Sequence, residues 1–123
     1  MISEDELILQ SKTPVLSDET TSLLIRARGF IERGWCRRAE ARDSTGRIVD
    51  PTSEQAVAWC VLGALHAAGI SGSDYWNHPA IHRVVEAING CWVSGWTICA
   101  FNNAQETVEP ILAAFDRAIA EVT

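Results

Sequence analysis

The sequence predicts a mainly α single domain: about four helices around a central apolar helix at residues 52–68, with room for a small β-hairpin or short extended segments. Three observations point there. The stretch AVAWCVLGALHAAG, residues 56–69, is apolar nearly all round, as a helix buried by its neighbours must be. Three further stretches repeat apolar residues at spacings of three and four, the signature of helices half in a core. Apolar residues make up 47 % of the 123 and charged residues 21 %, which is globular composition and enough chain to bury a core without a metal or disulfide staple.

Residues 1–16 open with Glu4, Asp5 and Glu6 and form an acidic segment, loosely attached to the domain. Ser17 or Asp18 then caps a helix over residues 18–33, with Glu19 in the first turn. Leu23, Leu24, Ala27, Phe30 and Ile31 share one face of it; Arg26, Arg28, Glu32 and Arg33 share the other. Gly34 is expected to stop it as a left-handed residue. The DSTG of residues 43–46 marks a turn, so residues 36–50 read as a hairpin or irregular loop.

Thr52 with Gln55 makes a capping-box pattern that opens the central helix, and Gly69 closes it. Its strip of small residues, Ala56, Cys60, Gly63, Ala64 and Ala67, invites another helix to approach closely at Gly63. After a loop, Pro79 takes the first position of a helix over residues 79–89. Ile81, Val84, Val85 and Ile88 face inward there, with His82, Arg83, Glu86 and Asn89 opposite. Gly90 ends it. CWVSGWTICAFNNAQE reads as a short strand near residues 97–101 or a packed connection. Thr107 caps a last helix whose stripe is Val108, Ile111, Leu112, Phe115, Ile119 and Val122.

Chemistry is sparsely signalled. Cys60, with His66 or His82 as base, is the catalytic candidate, and a small cysteine-dependent hydrolase or transferase the alternative function. Six residues separate Cys60 from His66, which puts them about 240° apart on one helix, so a base would have to come from elsewhere, such as His78 or His82. A buried packing thiol is the plainer reading of Cys60. None of the usual metal-binding spacings occurs; in HPAIH, Pro79 starts the helix between the two histidines and makes His78 a cap. No metal and no cofactor are expected, and no phosphate loop or serine elbow is present.

Charge is uneven. Residues 26–47 carry seven arginines against Glu32, Glu40 and Asp43, while the rest of the chain has three bases and 13 acids, for a net charge of −6. Arginine suits forked recognition of carboxylate or phosphate. Trp76, Trp92 and Trp96 sit in apparent loops, where an exposed tryptophan anchors an interface. The leading expectation is therefore a non-enzymatic interaction module. Its partner is a macromolecule, protein rather than nucleic acid, met through Arg37, Arg38, Arg42, Trp76, Trp92, Trp96, Asn102 and Asn103. A second copy of the chain is an admissible partner. An acidic nucleic-acid mimic or phage–host inhibitor is the third reading. With no basic, apolar leader and no apolar run near the roughly 20 residues of a membrane span, a cytoplasmic setting with reduced thiols is expected.

The stretches LLIRARGFIERGWC, AVAWCVLGALHAAG and FNNAQETVEPILAAFDRAIAE together resemble an uncharacterised family of small bacterial and phage proteins, a domain of unknown function. Gly34-Trp35, the CVLGAL of residues 60–65, Phe101-Asn102 and residues 107–118 carry the resemblance, which spans roughly residues 20–120. Position 103 is Asn where the family pattern has Asp, which leaves the Asn102-Asn103 pair a capping or turn role. The resemblance implies the fold and brings no activity with it.

Overall fold

Leu24, Ala27 and Ile31, spaced by three and four, are all buried along one side of α1, Val15–Arg33. The structure, a computed structural model, describes residues 15–70 and 75–121. The acidic residues Glu4, Asp5 and Glu6, the side chains of Ser17 and Asp18 expected as caps, and Val122 lie outside the described residues.

Gly34 ends α1, but not as the left-handed residue expected: positive φ among the glycines falls at Gly46, Gly69 and Gly90. A close approach requires Gly34 instead. A Cβ there would stand 2.1 Å from the carbonyl oxygen of Val57. The bare backbone lets Trp59 N–H donate to the carbonyl of Gly34 at 3.0 Å, and Cys36 N–H donates to that of Trp59 at 3.1 Å. Two short strands continue this pairing: β1, Ala41–Arg42, runs antiparallel to β2, Ala58–Trp59, with Ala41 opposite Trp59. The turn at residues 43–46 forms as expected, with Asp43 Oδ1 accepting from Thr45 and Arg47 N–H groups, and Val49 N–H returns to the carbonyl of Ala41 at 3.0 Å.

The apolar helix is shorter than its hydrophobicity suggested. It is α2, Val61–Ala68, and residues 52–60 are turns and strand. The capping box does not form, because Thr52 gives both its N–H and its hydroxyl to Asp50 Oδ1. The N–H groups of Val57, Trp59 and Cys60 donate to the carbonyls of Arg42, Gly34 and Glu40. Backbone groups engaged across the chain are not available to a helix, so it starts only at Val61. Within it Val61 to Leu65 and Ala68 are buried, as an all-round apolar helix should be. The close approach at Gly63 is made by a turn, not by another helix: a Cβ there would lie 1.8 Å from the carbonyl oxygen of Glu40.

In α3, Pro79–Asn89, Ile81, Val84 and Val85 are buried, and His78 Nδ1 caps it by accepting from Ala80 N–H at 3.0 Å. Residues 97–101 are not a strand; they lie in a helix, α4, Trp96–Ala104. Ser94 Oγ accepts from Trp96 N–H, and Ile98 and Asn102, one turn apart, face inward. In α5, Glu109–Glu121, Ile111, Phe115 and Ala118 are buried. The centre of packing is α1 rather than α2: α1 lies against α2, α3, α5 and β2, while α3 packs on α4 and α5. Among the described residues no helix is long and apolar enough to cross a membrane.

Candidate functional site

Asn102 organises one end of the fold. Its side chain is 1 % exposed and every hydrogen-bonding position of its amide is used. Oδ1 accepts from Trp35 Nε1 at 2.9 Å and from Val61 N–H, the first of α2, at 3.0 Å. Nδ2 donates to the carbonyl of Cys36 at 3.1 Å and to Asn103 Oδ1 at 3.3 Å. Asn103 Oδ1 also accepts from Arg38 N–H at 2.9 Å, which holds Arg38 at φ 64, a left-handed conformation unusual for a side chain of this size.

Beside this knot lies a cleft of about 540 Å³, bordered by Arg38, Cys60, Trp76, Trp96, Cys99 and Asn103. A second hollow of about 300 Å³ continues past the same two tryptophans to Trp92 and Val93. Trp76 is seated on Gly95, where a Cβ would come within 2.1 Å of the indole. Its ring centroid is 6.0 Å from that of Trp96, with the planes tilted by 35°. Trp92 stacks flat on His82, centroids 3.7 Å apart and planes 3° from parallel.

The catalytic candidates are not assembled. Cys60 is 7 % exposed and serves as the N-cap of α2, its Sγ accepting from Gly63 N–H at 3.3 Å. Burial pushes its thiol up to about 12, so it keeps its proton at neutral pH and is a poor nucleophile. His66 turns its Nδ1 to Glu40 Oε1 at 2.5 Å. His82, expected on a solvated face, is half-buried under Trp92, and its Nε2 is buried without a hydrogen bond. Burial raises the Cys36 and Cys99 thiols as well. Among the described residues no three His, Cys, Asp or Glu side chains are grouped to hold a metal.

The model of a family of unknown function, DUF6197, matches residues 16–121. The chain belongs to this family. No curated protein and no solved structure matches it. In this member of DUF6197 the three stretches that stand out in the sequence meet at one amide: Trp35 of the Gly-Trp pair, Val61 of CVLGAL and Asn102 of the Phe-Asn pair.

The DUF6197 member's arginines are largely engaged with their own chain. Arg26 donates to the carbonyl of Ala68, Arg28 to Asp116 and Glu32, Arg37 to the carbonyl of Gln105, and Arg42 to those of Gly46 and Arg37. Arg38, whose guanidinium has no hydrogen-bonded partner among the described residues, borders the cleft. Asn102, expected at a binding surface, is instead a buried structural hub, whereas Asn103 borders the cleft. Sequence reasoning named Trp35 only within the Gly-Trp pair and gave neither it nor Glu40 a role in a site. Trp35 adjoins a helix-ending glycine, a signal that was available; Glu40 meets His66 across 26 residues, and no local pattern announces that.

Proposed function

We propose that this DUF6197 member is a non-enzymatic protein-interaction module, and that Trp92, Val93 and Trp96 form the face a partner protein covers. The carrying observation is Trp96, 72 % exposed and lining one hollow with Trp76, Trp92 and Val93. Single exposed apolar residues are ordinary, but contiguous ones with tryptophan at the centre mark association surfaces. Trp35 and Trp59 donate their indole N–H groups inside the fold, to Asn102 and to the carbonyl of Pro51. Nucleic acid is a weaker fit: the chain carries −6, and Arg26, Arg28, Arg37 and Arg42 are engaged within it. A cytoplasmic setting accords with free cysteines at positions 36, 60, 91 and 99.

A photo-crosslinking amino acid at Val93, expressed in the native host, tests this. A defined adduct with another protein is expected, lost on Trp96→Ser while the melting temperature holds. Absence of any adduct, or an adduct that survives Trp96→Ser, removes the proposal. An adduct with a second copy of the chain replaces the partner with a homodimer.

A further inference from the structure

We infer that the cleft between residues 38–40 and the Trp76–Trp96 wall is a binding site for a small planar aromatic carboxylate. The inference is independent of the partner-protein face, which it adjoins at the two tryptophans.

Size and lining come first. About 540 Å³ is within the range of small-molecule sites, roughly 300–1,000 Å³, and admits a bicyclic ring. Leu62, Cys60 and Cys99 supply apolar surface on one side. Trp76, held in place by its seat on Gly95, and Trp96 supply an aromatic wall on the other. Their centroids, 6.0 Å apart, are too close for a third ring to enter between them, which needs about 7 Å at ordinary contact distances. A ligand ring therefore lies against the wall.

Two side chains at the cleft, Asn103 and Arg38, offer donors. Asn103 Oδ1 is occupied by Arg38 N–H and Asn102 Nδ2, so the amide orientation is set and its own Nδ2 remains to donate. The Arg38 guanidinium adds a planar fork of N–H groups. Glu40 also borders the cleft, with one carboxylate oxygen, Oε1, turned to His66 Nδ1. An apolar wall ending in an amide and a guanidinium selects a flat ring that carries an oxyanion. The Arg38 backbone is kept at positive φ by the same asparagine that offers the second donor, so its side chain starts beside that amide.

The full chain is titrated with 2-naphthoate, 2-naphthamide and acetate while the indole N–H resonances are followed by NMR. Saturable binding of 2-naphthoate that moves the Trp76 and Trp96 resonances is expected. The neutral amide should bind at least about tenfold more weakly and acetate not measurably. Arg38→Gly, which suits the positive φ and so keeps the fold, should bring the naphthoate down to the affinity of the amide. The inference is overturned if naphthoate does not saturate, if amide and carboxylate bind alike, or if Arg38→Gly binds naphthoate as well as the natural chain. Loss of the Val93 crosslink to a partner protein would leave these outcomes untouched.

Discussion

At the scale of the residue, Asn102 carries more of the fold than its polarity advertises. Replacement by Ala leaves Trp35 Nε1, Val61 N–H and the carbonyl of Cys36 without their partner. Each buried polar group left unsatisfied costs about 1–3 kcal/mol, so Asn102→Ala should lower stability by at least about 3 kcal/mol in urea denaturation. Asn103→Ala removes the acceptor of Arg38 N–H and the longer of the two bonds of Asn102 Nδ2, which keeps the carbonyl of Cys36, and should cost only about 1 kcal/mol. A small loss for Asn102→Ala would refute the hub. Cys60 gives a pH signature. An unfolded cysteine ionises near pH 8.5, while burial holds the folded Cys60 thiol to about 12. Between those values the folded state binds more protons, so stability is intact below about pH 8.5 and falls as pH rises toward 12. The slope should flatten in Cys60→Ala. Iodoacetamide at neutral pH should label exposed Cys91 in the folded chain and reach Cys60 only on unfolding.

At the scale of the element, the helices written in periodic apolar residues are the ones that form: α1, α3 and α5 bury the faces their spacing marks. Residues 52–60 and 96–104 went differently. The first is apolar enough for a helix, yet its backbone pairs with Gly34, Glu40 and Arg42, residues distant along the chain. The second holds a helix of only nine residues, Trp96–Ala104, too short and too evenly apolar to declare a period. Glycine identity matters most where backbone meets backbone. Gly63→Ala would force its Cβ into the carbonyl of Glu40, and Gly34→Ala into that of Val57. Each should cost on the order of 1–3 kcal/mol by overpacking, read as a lowered urea midpoint. Gly29→Ala, with open space around its Cβ in α1, should be neutral or stabilising by up to about 1 kcal/mol. Equal effects at positions 29 and 63 would contradict the close approach.

At the scale of the whole molecule, polar clasps on the surface join the helices. Arg26 reaches the last turn of α2, Arg28 bridges α1 to Asp116 on α5, and Arg117 on α5 reaches the carbonyl of Ala87 on α3. Arg28 is partly exposed and its partner Asp116 more so, which keeps the bridge weak. Arg28→Met should cost less than about 1 kcal/mol, and the loss should shrink further in salt. The arginine-rich segment thus looks basic in one dimension but is largely neutralised or engaged in three. The tryptophans divide the same way: two are structural anchors, and Trp76, Trp92 and Trp96 gather on one face although the first and the last are 20 positions apart.

Read along the chain alone, the residues specify a helical domain, its main core faces and most of its stops, because burial and capping are local in sequence and repeat with the period of the helix. Folding in three dimensions alone decides that Trp35, Val61 and Asn102 converge, that Cys60 caps and keeps its proton, and that Arg38 and Asn103 face an aromatic wall. Those contacts join residues 41 and 67 positions apart, and a contact between distant residues leaves no periodic trace in the chain that makes it.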